Sequence, residues 1–97
     1  MAKEIRWSVR ADLDRIEILE YWTRRNKSPT YSIKLNKLFN SKIERLAQHP
    51  ESGSPTEVPN VRTKIVRDYL VYYSIELAFI EVITIWDSRR NPKKFRL

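Results

Sequence analysis

The sequence has no cysteine, one glycine and one histidine. It also has no apolar run approaching the roughly 20 residues that a membrane-spanning helix needs. The missing cysteine removes disulfides, thiolate nucleophiles and cysteine-held zinc or iron–sulfur sites. A lone glycine, Gly53, cannot build a glycine-rich phosphate loop or a dinucleotide fingerprint. A lone histidine, His49, excludes a multi-histidine metal site and a catalytic histidine pair. The N-terminal stretch MAKEIRWSVRADLDRIEILEYW carries acids early and lacks the apolar segment of a signal peptide, so a cytoplasmic protein is expected.

What is present suits one small domain. The chain has 97 residues, 41% hydrophobic and 32% charged, which is enough apolar material for a core. Nineteen Lys and Arg against twelve Asp and Glu leave a formal charge of +7. A surface of that sign attracts nucleic acid, a ribosome, an acidic protein or an anionic membrane; the same charge also keeps a small domain soluble.

Periodicity orders the chain as β-α-α-β-β-β. Ile5, Trp7 and Val9 alternate with polar residues and predict a short half-buried strand. The period then lengthens. Leu13, Ile16 and Trp22, widened by Ile18 and Tyr21, give a core-facing helical stripe that stops near Asn26. A second amphipathic helix runs from Pro29 or Thr30 to Gln48 through Tyr31, Leu35, Leu38, Phe39, Ile43, Leu46 and Ala47, with a basic outer face and Pro50 as its stop. The short connection makes the two an antiparallel helical hairpin. His49 to Asn60 has three prolines and the glycine, and reads as a surface connection. Val61–Arg67, Tyr69–Ile75 and Phe79–Trp86 read as strands rich in Val, Ile, Tyr and Phe, the last two forming a hairpin. The expected architecture is a single α+β domain over residues 1–97, with the helical hairpin packed on one face of a mainly antiparallel twisted sheet and a basic tail from 87 to 97.

Two basic clusters carry the candidate chemistry. Arg62 and Lys64 share one strand face about 7 Å apart, near the spacing of phosphates on a single strand, with Arg67 beyond them. Their neighbours Val61, Thr63 and Ile65 are then expected to face the helices. Cations on an exposed strand also serve simply to discourage edge pairing. The second cluster, Arg89, Arg90, Lys93, Lys94 and Arg96, follows the last strand and suits nucleic-acid binding, a partner protein, or solubility alone. Tyr69, beside Arg67 at a turn, is the aromatic placed to expose its phenol. His49, at a helix end, reads as a capping or surface residue, and Asp12, Asp14, Glu17 and Glu20 read as surface charge paired with Arg15 and Arg24. Cleaving RNA requires a general base, a general acid and cations for the phosphorane. The cations are present; among possible bases Lys64, flanked by other cations, is the only candidate.

Several stretches together resemble a known family. They are Trp7, Ala11-Asp12-Leu13, Ile18-Leu19-Glu20-Tyr21-Trp22 with Asn26, Leu46-Ala47-Gln48-His49-Pro50 before Gly53, Ile65-Val66-Arg67-Asp68-Tyr69-Leu70-Val71-Tyr72-Tyr73, and Ile85-Trp86-Asp87-Ser88-Arg89-Arg90-Asn91-Pro92. In this order they resemble the RelE/ParE superfamily, toxins of type II toxin–antitoxin systems also called plasmid stabilisation proteins. The resemblance implies growth inhibition held in check by a cognate antitoxin, with no metal, cofactor or membrane partner. RelE-like members cleave mRNA on the ribosome with basic strand residues and a C-terminal Arg, often followed by a Tyr or His; ParE-like members inhibit DNA gyrase. By this resemblance Lys64, Arg67 and Arg90 would be catalytic in a nuclease. Arg62, Lys64, Arg67, Tyr69, Arg89, Arg90, Lys93 and Lys94 would contact the target. No Tyr or His follows Arg89 and Arg90, and Tyr69 stands where nucleases more often carry Arg, so the ParE-like branch is favoured. The other readings are a RelE-like nuclease and a basic module that only docks an acidic partner.

Overall fold

Ser8 ends the first strand and starts the first helix. In the computed structural model, which describes residues 2–89, β1 covers Glu4–Trp7 and α1 covers Val9–Asn26. The Ser8 hydroxyl accepts a hydrogen bond from the Ala11 N–H at 2.9 Å, satisfying a donor that the first helical turn leaves open. Val9, expected on the strand's inward face, therefore opens the helix and is exposed. At the other end Lys27 adopts a left-handed conformation at φ 54°, and the N–H groups of Lys27 and Ser28 return to the carbonyls of Arg24 and Thr23.

The second helix, α2, spans Thr30–Gln48, as its period predicts, and buries Leu35, Phe39, Ile43 and Leu46. His49 caps its C-terminus from an exposed position. The hairpin is tied by polar groups as well as by packing: the Ser32 and Thr23 hydroxyls both donate to the Leu19 carbonyl and lie 2.7 Å apart. Trp22 sets its ring edge against Tyr31.

The sheet has five strands. After a short 3₁₀ turn at Pro50–Ser52 come β2 (Ser54–Pro55), β3 (Val61–Val66), β4 (Tyr69–Ile75) and β5 (Phe79–Asp87), in spatial order β1-β5-β4-β3-β2. All pairings are antiparallel except β1 with β5. The proline-rich connection thus holds one strand that sequence periodicity does not show, because two residues carry no period.

Register decides which face meets the helices. Across the sheet Trp7, Val82, Tyr73 and Arg62 stand in one row, and Ile85, Val71 and Lys64 in another; Val66 pairs with Tyr69. Val66, Tyr69, Val71, Tyr73, Val82 and Ile85 are buried, so these rows form the helix-facing side, where Phe39, Leu35, Ile43 and Ala11 complete the core. Removing Phe39, fully buried at its centre, would cost about 3–5 kcal/mol.

Two expectations are overturned here. Arg62 and Lys64 lie on the helix-facing side, and it is Thr63 and Ile65 that face away, Ile65 at 69% exposure. The tight turn at Arg67–Asp68 pairs Val66 with Tyr69, and burying both fixes the parity of the whole strand. In α1, Leu13 and Ile16 also point outward; the helix packs instead through Ala11, Ile18, Leu19 and Trp22.

Candidate functional site

The residues singled out in the sequence are distributed rather than gathered. Arg62 donates to the carbonyls of Gly53 at 2.7 Å and Glu51 at 3.3 Å, so its guanidinium is a strut holding the segment between α2 and β2 against β3. Lys64 is half-buried across from Val71. Arg67 sits in the β3–β4 turn, exposed, with φ 55°. Tyr69 does not present its phenol: it is 3% exposed, its oxygen accepts from Trp22 Nε1 at 2.8 Å, and its ring packs edge-on to Phe39. Burial pushes the Tyr69 hydroxyl above the usual tyrosine range, an effect the Trp22 hydrogen bond only partly offsets. Arg90, Lys93 and Lys94 lie outside the described residues.

Arg89 is committed locally. Its Nε and Nη2 reach the two oxygens of Asp87 at 3.0 and 2.9 Å, and its own N–H joins Oδ1 at 2.9 Å. Those hydrogen bonds and the Asp87 charge raise its pKa above the ordinary arginine value. A bidentate carboxylate occupies the donor fork that would otherwise meet a phosphate.

A cleft of about 330 Å³ opens between α1 and the ends of β4 and β5. Tyr69 and Arg89 reach it, together with Asp14, Glu17 and Arg24, which the sequence reading left as surface charge, and Tyr21, which it placed on the core stripe and which is instead exposed. With Asp87 the wall has three carboxylates against two guanidiniums, so it is a poor seat for a polyanion.

Asp14 has a second task. The β1 ladder covers β5 only from Phe79 to Val82. Beyond that, the Ser8 hydroxyl donates to the Ile83 carbonyl at 2.7 Å, and one oxygen of Asp14 accepts from both the Thr84 hydroxyl and the Ile85 N–H. Helix α1 thus continues, with side chains, the edge pairing that β1 begins. Nothing in a helical Asp at this spacing distinguishes it from a solvated one, which is why the sequence does not reveal it.

The sheet face turned away from the helices has a different character. Ile65, Leu70 and Trp86 form one row across β3, β4 and β5, with Thr63 and Tyr72 beside them. Toward β1, Arg6 lies over the Phe79 ring at 4.2 Å. A face expected to be cationic is therefore largely apolar and aromatic on β3 and β4. Among the described residues no group of three or more His, Cys, Asp or Glu is placed to hold a metal ion.

Residues 5–92 match the family model described as the ParE toxin of the type II toxin–antitoxin system parDE. The chain belongs to the ParE toxin family. The same fold recurs in a solved structure described as the chromosomal ParDE toxin–antitoxin system from P. aeruginosa, with a TM-score of 0.75 over 87% of this chain and 94% of that one, at 20% identity. No curated protein matches the chain in sequence at a significant level. The molecule is thus a ParE-like type II toxin, and its system includes an antitoxin. Among the described residues no helix is long and apolar enough to cross a membrane.

Proposed function

We propose that this toxin acts in the cytoplasm by binding a protein target, DNA gyrase, and not by cutting RNA. The observation that supports this most is the dispersal of the cations a nuclease would converge on a phosphate: Arg62 braces a loop, Lys64 stands on the helix side of the sheet, and Arg89 is clamped by Asp87. A catalytic phosphate site needs preorganised donors converging on the point where charge develops. The apolar row Ile65–Leu70–Trp86 and the mixed-charge cleft suit a protein surface better than a phosphate backbone.

Among the described residues, the outer side of β1 and Lys64–Val66, which β2 leaves uncovered, have no strand partner and offer the antitoxin strand-addition sites. Of the expected target contacts, Arg67 is exposed in the β3–β4 turn, and it remains with Arg90, Lys93 and Lys94 in the proposed contact set.

Purified toxin should inhibit gyrase supercoiling. The Lys64→Ala, Arg89→Ala double variant, which leaves the proposed contacts Arg67, Arg90, Lys93 and Lys94 in place, should still arrest growth. Cleavage of ribosome-bound mRNA by the wild type, lost in that variant while gyrase is unaffected, would establish the nuclease reading instead.

A further inference from the structure

Helix α2 turns one row of side chains to solvent, on the side opposite Leu35, Phe39, Ile43 and Leu46. Thr30, Lys34, Lys37, Ser41, Arg45 and Gln48 recur at steps of four and three residues, which keeps them on one helical face, and all are exposed. The three cations of this row are uncommitted. Arg6, Arg15 and Arg89 hold carboxylates and Arg62 holds carbonyls, whereas among the described residues Lys34, Lys37 and Arg45 make no ion pair and no side-chain hydrogen bond. Glu44, the one acid of α2, stands at the margin of the row and pairs with none of them.

We propose that this row is a docking surface for duplex nucleic acid, held through phosphates and blind to sequence. Charge complementarity fixes the partner's sign, and the make-up of the row fixes its class. No aromatic side chain stands in it on which an unpaired base could stack. Ile33, at its margin, is the only large apolar residue of α2 that is exposed, which falls short of the apolar centre of a protein interface. Thr30, Ser41 and Gln48 add the polar donors that accompany Lys and Arg on phosphate oxygens. From Lys34 to Arg45 the helix rises by about 16 Å. A duplex carries one phosphate for about every 1.7 Å of its axis, so long side chains spread over that length meet phosphates in any register.

The row also lies apart from the protein-binding face proposed above. The helices and the Ile65–Leu70–Trp86 row occupy opposite sides of the sheet, so a toxin resting on a duplex through α2 keeps that row free for a protein. The inference holds whichever protein the toxin inhibits.

Fluorescence anisotropy of the purified free toxin with a labelled duplex of roughly 20 base pairs and arbitrary sequence tests it. With three phosphates neutralised, log K should fall against log salt with a slope of about −2.7, which makes binding about 40-fold weaker at 200 mM than at 50 mM salt. Lys34→Ala, Lys37→Ala and Arg45→Ala should each lower the slope by about 0.9, and the triple variant should lose measurable binding. Its circular dichroism and melting temperature should hold, because the positions are exposed and alanine favours the helix. Arg24→Ala with Arg67→Gly should keep the duplex affinity that Lys34→Ala with Lys37→Ala loses at the same net charge. Duplex binding that survives the triple variant would overturn the inference, as would no binding by the wild type at 50 mM salt. So would tighter binding of a single strand, or displacement by poly-glutamate as complete as that by unlabelled duplex at matched charge.

Discussion

Single side chains set much of this structure, and three of them make sharp predictions. Asp14 holds the Thr84 hydroxyl and the Ile85 N–H at the point where β5 loses its strand partner. Asp14→Ala leaves two donors at a part-buried edge unsatisfied and should lower unfolding stability by about 1–3 kcal/mol, read by urea denaturation. Asp14→Asn, which keeps an acceptor, should recover part of the loss. Gly53 is the second. A Cβ there would overlap the Tyr73 hydroxyl and the Thr63 carbonyl, and the Tyr73 hydroxyl is already occupied, accepting from the Gly53 N–H at 3.1 Å and donating to the Pro50 carbonyl at 2.6 Å. Gly53→Ala should destabilise by about 1–3 kcal/mol, and Tyr73→Phe should relieve part of that clash at the expense of both hydrogen bonds. The third concerns pH. Burial raises the hydroxyls of Tyr69 and Tyr73 above their unfolded values. Their contribution is therefore complete below the ordinary tyrosine pKa of about 10, and fades as pH climbs through the higher folded values. Thermal melts should hold level from neutral pH to about pH 10 and fall above it, more shallowly in Tyr69→Phe.

At the scale of elements, the sequence reveals where helices and strands lie better than how they are turned. Both helices end where the sequence places their stops, near Asn26 and before Pro50, while the start of α1 at Ser8 falls inside the stretch expected as strand. Facing is another matter. In β3 apolar residues occur at both parities, Val61 and Ile65 against Val66, so alternation alone does not choose a side; the pairing of Val66 with Tyr69 across a two-residue turn does. In α1 the apolar positions nearly encircle the helix, and only the packing of Ala11 against the sheet separates the core stripe from the Val9–Leu13–Ile16 stripe. The candidate site was less legible still. Its cations were visible as charges, but their partners, Asp87 for Arg89 and the Gly53 carbonyl for Arg62, depend on folded geometry. The left-handed turn between the helices offers a test at this scale. Lys27 holds φ 54° without glycine's freedom, and Lys27→Gly should raise stability by about 0.5–1 kcal/mol, visible as a higher melting temperature with activity unchanged.

For the whole molecule, a mean charge says less than its placement. The +7 excess suggests a nucleic-acid binder, yet several of its members are spent inside the fold. Arg15 pairs with Asp12 at 3.0 Å and lies over the Trp7 ring at 4.1 Å, Arg62 braces a loop, and Arg89 closes on Asp87. Among the described residues α2 turns Lys34, Lys37 and Arg45 outward, while the cleft wall carries Asp14, Glu17 and Asp87 beside its two arginines. The molecule therefore offers surfaces of distinct character, which is what the proposed reading of one silencing partner and a separate protein target requires.

The parallel pairing of β1 with β5 has a consequence in time. The Ser8 hydroxyl bonds a carbonyl 75 positions along the chain, so the first strand to leave the ribosome finds its neighbour only after nearly all the described fold has been made. The α1–α2 hairpin, built on local contacts, is able to form early, whereas the sheet must wait for its last strand. Until then the cleft beneath α1 has no floor, because Tyr69, Ile85, Asp87 and Arg89 come from β4, β5 and the residues just beyond. A growing chain thus lacks both the cleft and the completed sheet until β5 takes its place between β1 and β4.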